Sequence, residues 1–346
     1  MVLESIIDAG TAERKPIDAA ILGFVLSTMC MLLAIIIYSP YNGANLILGI
    51  YTVMFLLGVG LLSEFEYSRE IEAAIVVGMA IVTYVDLAYL NGITYLDFTA
   101  YETQISLSMV FLTSIGLAPL IFRMLTIEEK KDIDDLEDNF LERHAPIIET
   151  YGMLFVGMVL SFALWFTILP ETFVNSIFSE QIMTIRAIEA IQATALVALS
   201  GMAISKTTLK LILFNNLKVL FVITLLSLAL GTGAIYILTW NASVIGAVIG
   251  NFARSLISGY ASLGHLAGIS AYFVAVPVSF GKLIFHGLPE MLAYFIAGIA
   301  GGILSIAATH HEGKAIKLVM TDAAKLIGIA VFLLVSAAAI EAGILG

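Results

Sequence analysis

Long apolar runs, cut by short polar links, set the pattern of this chain. About 20 apolar residues are needed to cross a bilayer as a helix. Runs of that length predict spans over 17–38, 44–62, 71–90, 105–125, 147–169, 185–204, 217–240, 287–308 and 320–342. The links carry the turn signals: Ser39-Pro40-Tyr41-Asn42-Gly43, the charged Ser63 to Glu70, the polar 91–104, and Pro170 after the fifth run. The region 242–282 is apolar but interrupted by Gly246, Gly250, Asn251, Arg254, Gly259, Gly264, His265, Gly268, Pro277 and Gly281. It reads as a re-entrant helical hairpin of two half-helices, because non-helical backbone at membrane depth survives only when protein or a cavity surrounds it.

One segment breaks the apolar pattern. Thr126 to Arg143 holds eight acids and three bases. Ile133, Leu136, Phe140 and Leu141 fall at helical spacing. This predicts a solvated amphipathic linker over 126–146, between a four-span region (1–125) and a second membrane domain (147–346). A docking helix for a soluble partner is the alternative.

Composition agrees with the pattern. The 346 residues are 60% hydrophobic and 12% charged, with a mean hydropathy of +1.02. These values predict an all-α, polytopic membrane helix bundle of about nine spans. The net charge of −11 argues against nucleic-acid binding. The single cysteine, Cys30, permits neither an internal disulfide nor a cysteine metal site. With the N-terminus inside, the loops place twelve Lys and Arg on the inner side and three on the outer. That asymmetry predicts a multi-pass protein of the cell membrane with a cytoplasmic N-terminus and an extracytoplasmic C-terminus.

The chemistry is sparse. In Phe285-His286-Gly287-Leu288-Pro289-Glu290, Gly287 suits an N-cap and Pro289 a first turn, with Glu290 at the third helical position. That would set His286 and Glu290 together at the mouth of a spanning helix, near the outer leaflet and roofed by the hairpin. Ionisable and amide groups in apolar surroundings extend the candidate binding set to Glu189, Asn215, Asn216, Asn241, Arg254 and Glu341. Gln192 shares a face with Glu189, while Asp86 has no evident partner. The structural alternative for each is an interhelical hydrogen bond that holds register. No catalytic, cofactor or metal site is expected: His286 and Glu290 supply two ligands where a catalytic zinc needs three, and no nucleophile stands beside them.

From His144 onward the chain resembles the stage II sporulation protein M family. The matching pieces are His144-x-Pro146, Leu164-Trp165 running to Leu169-Pro170 with Phe178-x-x-Gln181, and Phe214-Asn215-Asn216-Leu217-Lys218-Val219 with Gly231 and Gly233. Trp240-Asn241 with Gly246, His286-Gly287-x-x-Glu290 with Ala293, and the terminal Ala337 to Ala342 complete them. The chain departs from the family pattern at Phe285, where proline is usual, and at Ala242, where glycine is usual. The resemblance implies a non-catalytic membrane scaffold that recruits partner proteins. A transporter or channel for an ion, small solute or lipid, with its polar site at the broken-helix region, is the alternative. The lipid bilayer is one expected partner, with protein partners and a homo-oligomer as further expectations.

Overall fold

A computed structural model describes residues 15–38, 102–134, 140–198, 204–261, 265–311 and 313–345. Two of the expected spans, 44–62 and 71–90, and Asp86 lie outside these residues. Among the described residues there are nine helices and no strand: α1 (Pro16–Ile37), α2 (Glu102–Asp134), α3 (Phe140–Ile168), α4 (Glu171–Ile177), α5 (Ser179–Ala198), α6 (Ile204–Leu230), α7 (Ala234–Ala261), α8 (His265–His310) and α9 (Lys314–Leu345). Seven of them contain stretches long and apolar enough to cross a membrane: Pro16–Ile37, Glu102–Ile133, Glu142–Ile168, Leu213–Leu230, Ala234–Gly259, Gly287–Thr309 and Lys314–Ala339. The protein is an all-α membrane helix bundle.

Helix boundaries follow local chemistry. Pro16 opens α1, where its missing N–H is not needed. Gly231 and Gly313 take φ of +69° and +66° and so turn the chain after α6 and after α8. The α6–α7 turn is tight, with the Thr232 N–H donating to Leu230 O at 2.7 Å.

Packing is close because small residues face neighbouring helices. A Cβ at Gly23 or Gly157 would run into the backbone of the partner helix, so α1 and α3 touch main chain to main chain. Gly246 and Gly250 of α7 lie on Phe162 and Phe166 of α3, where an added Cβ would stand 2.6 Å from each Cβ. Gly298 and Gly301 of α8 admit Ala234 and Ser227 in the same way. α8 is the central post: 78% of its candidate span is buried, against 22% for α6 and 33% for α9. Those two outer helices turn Phe214, Phe221 and Phe332 outward, as a lipid-facing surface requires.

The 242–282 region departs from the expected hairpin. Residues 242–261 continue α7 without a break, and residues 265–282 open a 46-residue α8. Two of the glycines read as interruptions, Gly246 and Gly250, are contact points for α3, and Pro277 and Pro289 are carried inside α8. Membrane helices tolerate such prolines because neighbouring groups satisfy the freed carbonyls. Gly287 is therefore no N-cap, and Asn241 does not end a helix.

The bundle has two ends. Ser106 and Tyr38 meet Gln181 and Ser108 at one, which also holds the end of α3, α4 and Arg254 of α7. At the other, the end of α2 meets the starts of α3 and α9. α6 runs parallel to α8, with Gly298 against Ile223 and Gly301 against Thr224 and Ser227, and reaches that second end at Gly231 beside Phe122 and Ser305. α6 thus starts at the first end, where α3 finishes, so α5 makes no net crossing. Lys206, Lys210 and Lys218 move to the end opposite Lys314 and Lys317. The expected charge asymmetry narrows accordingly.

Candidate functional site

The charged segment 126–146 is not a separate wet helix. Thr126–Asp134 prolongs α2, and α3 starts at Phe140, with 135–139 outside the described residues. Glu128 and Asp132, four apart, share a helix face. That face turns inward, continuous with the buried Met124 and Leu125. Two carboxylates so placed repel each other unless cations or hydrogen-bond donors oppose them, and the start of α3 supplies Arg143 and His144.

The result is a buried polar cluster joining three helices. Glu128, Asp132 and His144 are fully buried, while Arg143 and Asp322 are 8% and 5% exposed. The His144 Nδ1–H donates to Glu128 Oε1 at 2.6 Å. Lys131 Nζ donates to Glu128 Oε2 at 3.0 Å. Arg143 binds Asp322 of α9 and stands 3.4 Å from Asp132 Oδ1. Lys325 Nζ donates to Asp322 Oδ1 at 2.7 Å. Phe140 closes one side, edge-on to the His144 ring at 4.7 Å and under Lys325 Nζ at 5.0 Å from its centroid. His311 lies 2.7 Å from Glu129 at the margin of the cluster.

One part of the cluster is unmatched. His144 Nε2 faces Asp132 Oδ1 at 3.5 Å, beyond hydrogen-bond reach. Neither Asp132 oxygen nor His144 Nε2 has a hydrogen-bond partner among the described residues. The donor atoms of Asp132, His144 and Asp322 all lie within 4.8 Å of one another.

The expected site residues do not gather. Glu290 is half-buried in α8 and accepts a 2.9 Å hydrogen bond from Tyr294 Oη. Asn241 Nδ2 donates to Ile237 O of its own helix at 2.9 Å. Asn215 is exposed and reaches Asn216 Oδ1 at 3.3 Å, and Asn216 is buried. Arg254 donates from Nε to Phe166 O at 2.7 Å and also binds Leu169 O, with its guanidinium above the Phe166 ring. It therefore caps the end of α3, where carbonyls lack intrahelical partners and the helix dipole favours a cation. Glu189, His286 and Glu341 fall in α5, α8 and α9, with side chains outside the described set.

A second polar cluster marks the opposite end. Ser106 Oγ donates to Gln181 Oε1 at 2.5 Å, and Gln181 Nε2 donates to Ser243 Oγ at 3.1 Å, tying α2, α5 and α7 together in the buried interior. In the sequence, His144 and Gln181 stand out only as parts of the family resemblance, and Asp132 only as part of a charged run. The available signal was the four-residue spacing of Glu128 and Asp132 directly after a spanning run.

No curated protein and no solved structure matches the chain. A family's sequence model does, over residues 151–344, from near the middle of α3 almost to the end of α9. The chain belongs to the stage II sporulation protein M (SpoIIM) family of membrane proteins.

Proposed function

We propose that this protein is a non-catalytic membrane scaffold that recruits partner proteins, seated in the plasma membrane with its N-terminus cytoplasmic. The observation that carries this reading is the hydrogen bond that occupies Glu290 beside the buried turn of α8 that follows it. Directly along α8, Met291, Ala293, Tyr294 and Phe295 are buried, and the Tyr294 hydroxyl is given to the carboxylate itself. A half-buried carboxylate occupied in this way by its own helix serves the fold, whereas a transport path needs a wet vestibule. Other interior polar contacts, Thr28 with Ser161 at 2.8 Å and Gln181 with its two serines, join helix to helix. Such a body is stiff and suits holding other proteins in place.

The test is affinity capture of the full chain from mild detergent after in-cell crosslinking. Specific, stoichiometric protein partners are expected. A chain recovered alone under both conditions would overturn the scaffold.

A second reading has one observation in its favour. Ionisable groups within membrane segments mark ion and proton paths by default, and Asp132 and His144 are buried at the end of two spans. Flux into liposomes carrying the protein, abolished by Asp132→Asn, would establish transport. Flux no greater than in protein-free liposomes would remove it.

A further inference from the structure

We propose that Asp132, His144 and Asp322 form a binding site for a divalent first-row transition metal ion, of the zinc or manganese class. The site lies where α2, α3 and α9 meet, and the proposal stands independently of the scaffold reading.

The first argument is the histidine's tautomer. Ionised Glu128 only accepts hydrogen bonds. At 2.6 Å from His144 Nδ1, it holds the ring proton on that nitrogen. In the neutral ring Nε2 is then a bare lone pair, and it faces the Asp132 carboxylate at 3.5 Å. Lone pair against carboxylate in a dry interior is repulsive unless a cation lies between them. A histidine that gives one N–H to a carboxylate while turning its other nitrogen to a metal is the usual arrangement of metal-binding imidazoles.

The second argument is distance. A zinc ion holds nitrogen and oxygen donors at about 2.0–2.2 Å, so tetrahedral neighbours stand about 3.3–3.5 Å apart. The Nε2–Oδ1 separation of 3.5 Å is too long for a hydrogen bond and suits two donors on one ion. The three donor atoms lie within 4.8 Å of one another. Asp132 Oδ2 is buried with no hydrogen-bond partner among the described residues, so this carboxylate has capacity to spare.

The third argument is charge. The carboxylates of Glu128, Glu129, Asp132 and Asp322 outnumber the permanent cations Lys131, Arg143 and Lys325 that contact the cluster. Among the described residues that leaves an excess of acidic groups in a buried place, where uncompensated charge is costly and a cation would offset it. Arg143 and Lys325 do not occupy the donor positions outright. Each carboxylate oxygen carries two lone pairs, so Asp322 can accept from both and still bind a metal. One imidazole and two carboxylates, without thiolate, suit Zn²⁺, Mn²⁺, Fe²⁺ or Co²⁺ better than copper(I).

The experiment uses the full chain in detergent, stripped with a chelator and titrated with Zn²⁺ by calorimetry, with metal content read after dialysis. One Zn²⁺ per chain is expected, with the thermal unfolding midpoint rising as Zn²⁺ is added. Asp132→Asn and His144→Ala should retain none. Glu128→Gln keeps all three donors and loses only the carboxylate behind the imidazole, so its affinity should fall about 10–100-fold. The surface variant Glu142→Gln should bind as wild type does. A wild-type chain that retains no Zn²⁺ and shows no Zn²⁺-dependent midpoint would overturn the site. So would stoichiometric Zn²⁺ in folded Asp132→Asn and His144→Ala proteins.

Discussion

At the scale of single residues, Arg143 bears most on stability. Its guanidinium joins Asp322 on α9 and lies 3.4 Å from Asp132 on α2. Breaking a buried ion pair from one side costs about 3–5 kcal/mol, because the remaining charge loses its partner. Arg143→Met should therefore destabilise the detergent-solubilised protein by about that amount, read by denaturant unfolding. Arg143→Met combined with Asp322→Leu should cost less than Arg143→Met alone, since no orphaned carboxylate remains on α9. Equal losses would mean that Asp322 is already neutralised by Lys325, whose Nζ lies 2.7 Å away. Arg254 acts at the other end on carbonyls rather than carboxylates. It was legible as a polar residue in an apolar run, but its partner was not. An exposed carbonyl at a helix end leaves no trace in residue type.

At the scale of elements, the glycines separate contact from flexibility. Gly301 sits where an added Cβ would meet Ser227 Cβ and Thr224 O at 2.7 Å each. Among the described residues, Gly287 has nothing within 4 Å of that position. Gly301→Ala should cost about 1–3 kcal/mol through overpacking. Gly287→Ala should stabilise α8 by about 0.5–1 kcal/mol, because alanine is the better residue inside a helix. Thermal unfolding of the two variants checks both signs. The same contrast explains what the sequence concealed. Apolar length alone placed the spans now seen in α1, α2, α3, α8 and α9. In 242–282, glycines that let α7 press on Phe162 and Phe166 look the same in sequence as glycines that break a helix. Only the neighbour tells them apart. In 126–143 the error ran the other way. Ile133, Leu136, Phe140 and Leu141 offered an apolar stripe, while the inward face was the acidic one, because a basic pair from α3 and an aspartate–lysine pair from α9 come to meet it.

At the scale of the whole molecule, the two ends of the bundle make a topological claim. Tyr38 and Ser108 meet at 3.2 Å, so α1 ends where α2 begins. α3 then returns to that end, and its last carbonyls bind Arg254 of α7. α6 leaves from the same end, because it lies parallel to α8 through Gly298 and Gly301. α5 therefore stays on one side, although its sequence offers an apolar run over 185–204. Its polar content supplies the physical reason. Glu180 accepts from Thr103 at 2.7 Å, Gln181 is buried against Ser106 and Ser243, and Arg186 is exposed. These contacts anchor its first turns at the end of the bundle. Single cysteines read by a membrane-impermeant thiol reagent decide the matter, in a background where the buried Cys30 is replaced by alanine. Cysteines at Lys130 and Lys314 should label from one side of the membrane, and those at Glu171, Arg186 and Lys206 from the other. Labelling of Lys206 from the side of Lys314 would make α5 a true span. It would also reverse α6 against α8 and separate the glycine contacts that hold them together.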